Sequence, residues 1–306
     1  MLIIKDSDKK IEGRTFIALG SFDGLHRGHR KLIDKCIELS KEHKVRSMVY
    51  TFQNHPLTIV RPEAVPKLLM DNDTKIEMLD NLGVDIVAME NFTRQFMQLS
   101  AEEFVLRLLE RFSPLGLVAG FNHRFGYKNS GDVNFLKLLG EKYNFSVTII
   151  TPQNDESDVV SSSRIRKLIE EGHIETANEL LLSNFMLQGT VVYGKQIGKT
   201  VLGYPTANIK ADDRFVIPKR GVYYTIAEVN GKKYKAMTNV GINPSVKHDE
   251  SIKIESHLLD FDEDIYGRHI KIYFMERIRD EVKFSSVDKL MERMNKDYEL
   301  VKNKRL

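Results

Sequence analysis

From Thr15 to about Ile169, short β-branched runs alternate with segments of helical period. The apolar runs occupy residues 15–19, 45–52, 84–89, 115–119 and 145–150, and the helical segments lie near 29–42, 73–82, 101–112 and 132–143. This alternation predicts an α/β fold in which a parallel sheet is covered by crossover helices. Ser100 followed by Glu103 forms a capping box, which marks the start of the third helix.

The pattern changes after Gly172, where a short helical stretch leads into a region of another character. Runs at 190–193, 224–229, 233–240, 252–261 and 269–278 are typical of strands, and Asn230-Gly231 carries the signal of a tight hairpin. A final amphipathic helix is expected after Ser285 or Ser286. We therefore predict two domains, an α/β domain at 1–183 and an antiparallel all-β domain with a terminal helix at 184–306.

Composition excludes several classes of protein. The formal charge of +3 is too small to indicate a nucleic-acid partner, although a polyanionic small molecule is compatible with it. The one cysteine, Cys36, lies in an apolar helical pattern, which favours a buried thiol. No apolar run is long enough for a signal peptide or a membrane span, so we expect a cytoplasmic protein with no membrane partner and no obligatory protein partner.

The segment GSFDGLHRGH (20–29) follows a predicted strand and precedes a predicted helix, which is where open parallel sheets bind ligands. Gly20 and Gly24 permit a sharp turn, and Gly28 leaves room between His26 and His29. Two imidazoles spaced i, i+3 at a helix start face one side, beside free N–H groups that favour phosphate oxygens. A role as mere cap or surface residues is the alternative. A metal site is disfavoured because the other histidines are scattered.

Four motifs in this half carry a family resemblance. The strand–GSFDGLHRGH–helix unit, TFQNHP (51–56), AGFNHRFGYKNSGD (119–132) and VSSSRIR (160–166) are similar, in that order, to motifs of the nucleotidylyltransferase superfamily, specifically its FAD synthetase branch. The resemblance implies a Rossmann-like domain that joins FMN to the α-phosphorus of ATP without a covalent nucleophile. It assigns catalysis to His26 and His29. It also assigns nucleotide binding to Gly20, Phe22, Asp23, Gly24, Ser162, Ser163 and Arg166, and flavin contacts to His55, Asn122 and Arg124.

Some residues depart from those motifs. Asn54 stands where the family usually has Pro, Asn122-His123 where it has Asp-Phe, and Asn129 where it often has Arg. These departures raise the alternative that only the second domain works efficiently. From spacing alone, Ser162, Ser163 and Arg166 are also compatible with a plain helix cap and a solvated arginine.

GKQIGKT (194–200) looks like a Walker phosphate loop, but Gly203 and Pro205 forbid the helix that such a loop needs. The longer run GKQIGKTVLGYPTAN (194–208) instead resembles the riboflavin kinase signature. Further similar segments follow in order at 220–224, 238–246, 255–261 and 265–274. Together the two resemblances cover nearly the whole chain, which is thereby identified as similar to the bacterial bifunctional riboflavin kinase/FAD synthetase family.

That resemblance implies a small antiparallel β-barrel that phosphorylates riboflavin to FMN, with ATP as co-substrate and Mg²⁺ as cofactor. It assigns the metal to Thr206 and Asn208, the ATP loop to Gly198, Lys199, Gly203 and Thr206, and the general base to Glu255. His257 is a weaker local rival as base. A flavin-sensing protein without activity is the alternative of another class, and it predicts loss of Glu255 or of one of the paired histidines.

Overall fold

The computed structural model describes residues 1–5, 8–152, 159–193, 206–242, 252–282 and 284–306. The chain divides into two compact units, one made of residues 1–66 and 70–162 and the other of residues 67–69 and 163–306. Residues 163–183 thus pack with the second unit. The functional boundary expected between residues 183 and 184 stays a prediction.

The first unit contains a six-stranded sheet whose neighbouring strands all pair in parallel, in the order β1-β4-β3-β2-β5-β6. The strands are β1 (Leu2–Ile4), β2 (Thr15–Leu19), β3 (Arg46–Phe52), β4 (Ile86–Glu90), β5 (Pro114–Gly120) and β6 (Ser146–Ile150). Five of them confirm the predicted runs to within two residues. The edge strand β1 was not predicted, because three residues are too few to show a period.

Helices cover both faces of this sheet: α1 (Arg27–Glu42), α2 (Leu57–Val60), α3 (Asn72–Asn81), α4 (Arg94–Met97), α5 (Ala101–Phe112) and α6 (Val133–Tyr143). Ile33 of α1 and Leu79 of α3 belong to the core of one face, and α5 and α6 supply the core of the other. The capping box of Ser100 and Glu103 is present. Cys36 is buried and its Sγ donates to the Phe16 carbonyl.

Strand order fixes where a ligand can bind. From β2 the chain passes to β3 on one side and later to β5 on the other, so the sheet has its topological switch point between β2 and β5. Leu19 at the end of β2 lies beside Ala119 near the end of β5. The loops that leave these two strands therefore flank the crevice in which α/β sheets bind their ligands.

The second unit contains α7 (Ser162–Glu171) except for its first residue, which belongs to the first unit, followed by α8 (Ile174–Leu181) and a closed barrel. The strands of the barrel pair antiparallel in the order β10-β11-β8-β7-β12-β9. They are β7 (Met186–Val192), β8 (Ala207–Ala211), β9 (Gly221–Val229), β10 (Lys232–Ile242), β11 (Ile252–Leu258) and β12 (His269–Arg279). Asn230 and Gly231 have φ values of 52° and 73°, which confirms the predicted hairpin.

The last helix, α9 (Val287–Lys302), is capped by the Ser286 hydroxyl and packs on the outside of the barrel. Val301 is fully buried in a cluster with Val222, Tyr224 and Met237 of β9 and β10. Inside the barrel, the hydroxyls of three buried residues on neighbouring strands bond in a chain, Thr225, Thr238 and Ser256.

Within the described residues, no helix combines the length and the apolar character needed to cross a bilayer.

Candidate active sites

The loop that follows β2 has an unusual backbone. Phe22 and Leu25 adopt left-handed φ values of 51° and 42°, and Gly24 adopts 84°. Left-handed backbone at non-glycine residues costs about 1–3 kcal/mol each and persists only where the surroundings impose it. The Phe22 side chain is fully buried, and a Cβ on Gly20 would lie 3.0 Å from its ring. The loop is therefore held in one strained shape.

His26 and His29 meet at the start of α1. His26 is the N-cap residue, and its Nδ1 accepts the His29 N–H at 3.4 Å. The two rings stack with centroids 3.7 Å apart and planes 17° from parallel, so the expected shared face is confirmed. A Cβ on Gly28 would lie 3.2 Å from the His26 ring, which is why glycine stands between them.

Burial keeps both imidazoles uncharged. It lowers the pKa of His26 to about 4. Burial, and then the charges of His26 and Lys75, lower the pKa of His29 well below its usual range. His29 Nδ1 is buried and has no hydrogen-bond partner among the described residues. Two neutral imidazoles beside the N–H groups of a helix start form a pre-arranged set of donors for an anion.

Ser162, the first residue of α7, reaches this loop. Its hydroxyl donates to the Asp23 carbonyl at 2.9 Å, and Asp23 itself is buried. Ser163 and Arg166 belong to the second compact unit, where the Arg166 guanidinium donates to the Lys67 carbonyl. The phosphate-binding roles of Ser163 and Arg166 stay predictions.

The residues expected to contact flavin follow β3 and β5, at the carboxyl edge of the sheet. His55 Nδ1 accepts the Leu57 N–H at 3.1 Å. Asn122 follows the end of β5, and the exposed Arg124 lies 3.6 Å from the Asp132 carboxylate. Strand ends at one edge are a suitable place for a second substrate, and the flavin contacts of these three residues stay predictions.

The departures from the family motifs fit this structure. The Asn54 amide accepts from the Phe92 N–H at 2.8 Å and donates to the Phe92 carbonyl at 3.0 Å, contacts that a proline could not make. Asn129 has a φ of 58°, a conformation that asparagine tolerates better than arginine. His123 packs flat on Phe125, with ring centroids 5.6 Å apart, as an apolar ring would.

Sequence reasoning missed Lys75. It lies on α3, is only 6% exposed, and its Nζ donates to the Ser21 carbonyl at 3.1 Å. The available signal was its position four residues before the buried Leu79, which places a lysine on the inward face of a helix. A lysine on such a face must have partners, since a buried charge is costly without them.

In the barrel, Glu255 of β11 lies directly opposite Asn208 of β8 and Asn239 of β10. Its neighbours Ile254 and Ser256 are buried in the interior, so strand alternation places Glu255 on the outer face. Lys253 Nζ lies 2.6 Å from the Glu255 carboxylate. His257 occupies the same face two residues further on, with its ring 6.1 Å from that of Tyr298 on α9.

Thr206 precedes β8 immediately, so it is two residues from Asn208. The structure thus brings Asn208 and Glu255 together, and Thr206 lies two residues before Asn208 in the chain. Gly198, Lys199 and Gly203, like the Walker-like segment 194–200, lie outside the described residues, and their roles stay predictions.

Two family models match the chain. The model described as FAD synthetase matches residues 8–164, and the one described as riboflavin kinase matches residues 181–304. Three curated relatives are each named bifunctional riboflavin kinase/FMN adenylyltransferase. The Listeria monocytogenes relative is 37% identical over 95% of this chain and 92% of its own length. Those of Bacillus subtilis and Escherichia coli are each 32% identical, over 94% and 92% of this chain and 92% and 90% of their own lengths.

A crystal structure from Streptococcus pneumoniae is similar to the whole chain. It has a TM-score of 0.91 and 32% sequence identity, and the match covers 99% of both chains. That protein is described as a macrolide-efflux protein, which differs from the names of the curated relatives. The two family models and the curated relatives agree with one another.

Proposed function

The chain belongs to the bifunctional riboflavin kinase/FMN adenylyltransferase family, and we propose that each reaction takes place in one of its two compact units. In the barrel, riboflavin and ATP give FMN and ADP. In the unit with the parallel sheet, FMN and ATP give FAD and pyrophosphate. The observation that supports this division is that His26 and His29 lie wholly in the first unit and Asn208 and Glu255 wholly in the second.

In adenylyl transfer, a phosphate oxygen of FMN attacks the α-phosphorus of ATP. The bond from that phosphorus to the bridging oxygen breaks, and pyrophosphate leaves with the electron pair. Negative charge accumulates on phosphate oxygens, and the N–H groups of His26, His29 and the first turn of α1 stabilise it. Removing one such pre-arranged donor lowers kcat by a factor of about 10²–10³.

The Ser162 hydroxyl contributes to this site by donating a hydrogen bond of 2.9 Å to the Asp23 carbonyl, which helps to hold the strained loop in place. Because the imidazoles are already neutral and stacked in the free protein, they need no rearrangement when the nucleotide arrives.

In riboflavin phosphorylation, the 5′-hydroxyl oxygen attacks the γ-phosphorus of ATP, ADP leaves, and Glu255 accepts the hydroxyl proton. The ion pair with Lys253, at 2.6 Å, fixes the position of the carboxylate. His257 is a poorer candidate for the base, because it is 8% exposed and lies beside Tyr298. A general base increases the reaction rate by a factor of about 10²–10⁴.

Both reactions use ATP and imply a divalent metal ion. Asn208, which lies opposite Glu255, and Thr206, two residues before it in the chain, suit Mg²⁺ because they offer an amide oxygen and a hydroxyl. This hard cation prefers oxygen ligands and keeps several waters. These two residues would hold the ion together with the substrate phosphates. The ion would neutralise charge on the triphosphate.

The proposal is tested by incubating the purified chain with riboflavin, ATP and Mg²⁺ and separating the flavins over time. FMN should appear first and FAD later. FMN that accumulates without FAD would mean that only the kinase is efficient. Bound riboflavin with neither product would favour a flavin-sensing protein. The cytoplasmic location expected from the sequence is part of the same proposal.

A further inference from the structure

Lys75 of α3 is a buried charged residue beneath the loop that carries the paired histidines. Its Nζ donates to the Ser21 carbonyl at 3.1 Å. Thr51 of β3 donates its hydroxyl to the same carbonyl at 2.9 Å. Two donors from separate elements therefore fix the peptide that precedes the left-handed residue Phe22.

The Lys75 ammonium interacts electrostatically with two carboxylates and with His29. The carboxylates of Asp23 and Asp71 stabilise the ammonium against burial, which by itself lowers its pKa. The Asp71 carboxylate also caps α3 by accepting the Thr74 N–H at 2.7 Å. On the other side, the ammonium acts on His29 and disfavours its protonation. The Lys75 side chain thus contacts the loop that carries the imidazole pair and acts electrostatically on His29.

We propose that Lys75 is a positioning residue for adenylyl transfer: its ammonium holds the Ser21 carbonyl, and thereby the loop that carries His26 and His29, and its charge favours phosphate at that site. This inference rests on the proposed function of the first unit. It goes beyond an anchor that merely stabilises the fold, because a neutral donor could hold a carbonyl equally well, whereas a cation also adds a net positive charge that stabilises developing negative charge.

Three substitutions separate these roles. Lys75→Met removes the donor and the charge, Lys75→Gln keeps a donor but removes the charge, and Lys75→Arg keeps both. Lys35→Met is the matched control. Lys35 lies on α1, and its Nζ is 2.6 Å from the carboxylate of Glu38 on the same helix, so its ion pair does not involve the loop. For each variant, kcat and KM for FMN adenylylation are measured with thermal unfolding, and riboflavin phosphorylation by the same sample reports on the second unit.

We expect kcat for FAD formation to fall about 10- to 100-fold in the Met and Gln variants, with KM for FMN changed less than about threefold. The Arg variant should recover most of the loss, and Lys35→Met should match wild type. A folded Gln variant with wild-type kcat would overturn the inference. If the Met variant does not fold, the kcat of the Gln variant alone decides between the two roles. An Arg variant that folds but is as impaired as Gln would also contradict it. If the wild-type chain makes no FAD at all, the proposed function fails instead.

Discussion

Glu255 and Asn208 lie directly opposite one another on the antiparallel strands β11 and β8. Opposed residues on neighbouring strands have Cβ atoms about 4.5–5.5 Å apart, so the partly exposed Glu255 carboxylate and the buried Asn208 amide share one small patch of the barrel wall. That patch can present a base to a hydroxyl and neutral oxygens to a metal–nucleotide complex.

Glu255→Gln should lower the rate of FMN formation by about 10²–10⁴, because the amide cannot accept the riboflavin proton. FAD formation from supplied FMN should stay at the wild-type rate. Glu263→Gln, which changes an exposed carboxylate of the same unit, is the control and should leave both rates unchanged. The measurement is the initial rate of each product. Wild-type FMN formation by Glu255→Gln would rule out this residue as the base.

Gly28→Ala should impair activity without a comparable loss of stability. Alanine in a helix is more favourable than glycine by about 0.5–1 kcal/mol, which offsets the cost of crowding His26, so the free energy of unfolding should change by less than about 1 kcal/mol. The new Cβ would lie 3.2 Å from the His26 ring and disturb the stacked pair, so FAD formation should fall about tenfold or more. Denaturant unfolding and FAD kinetics on one preparation check this. Unchanged FAD kinetics would mean that the stacked arrangement is not required.

Stability should depend on pH in a definite direction. Burial lowers the pKa of His26, and separately that of His123, to about 4, whereas both titrate near 6.5 when unfolded. The unfolded chain therefore binds more protons between these values, and stability is lost as pH falls from about 6.5 towards 4. Each group contributes about 2 kcal/mol of that loss by pH 5.

Unfolding in denaturant at pH 7 and at pH 5 measures this effect. His123→Phe removes one of these buried histidines while keeping an aromatic ring against Phe125, so its pH dependence should be smaller by about 2 kcal/mol. Equal pH dependence in the variant and the wild type would show that His123 is not held neutral by burial.

Asp297 attaches α9 to the barrel. It is 2% exposed, and its carboxylate lies 2.8 Å from the Arg279 guanidinium and 3.1 Å from that of Arg293. Asp297→Asn should lower the free energy of unfolding of the second unit by about 1–3 kcal/mol, since the partly exposed Arg279 and Arg293 lose their charged hydrogen-bond partner. Glu292→Gln, at an exposed pair with Lys296, should change it by less than about 0.5 kcal/mol. A similar small change for both variants would contradict the structural role of Asp297.

Much of the fold could be predicted because its elements follow simple periods. The helices of the first unit show a 3.6-residue period, and its central strands are apolar runs bounded by turns. In β11, alternation did not reveal the face of Glu255, because Leu258 and Leu259 are both buried, one in the interior and one in the cluster under α9. Where a helix covers the outside of a barrel, the outward-facing residues are apolar too, so the strand no longer alternates between apolar and polar positions.

The shared face of His26 and His29 could be predicted because residues three apart on a helix are neighbours. Lys75 could not be assigned to the same site, because its contact with Ser21 arises from the packing of α3 beneath the loop rather than from spacing along the chain. The left-handed conformations of Phe22 and Leu25 were also beyond sequence reasoning, since such backbone is imposed by surrounding contacts.

A mixing experiment tests directly whether one chain carries two independent active sites. Glu255→Gln and His29→Ala are assayed singly with riboflavin, ATP and Mg²⁺, and then as an equimolar mixture. Neither variant alone should make FAD, whereas the mixture should, because the His29→Ala chain supplies FMN that the Glu255→Gln chain adenylylates. A mixture that yields no FAD, or a single substitution that stops both reactions, would contradict the presence of two independent sites.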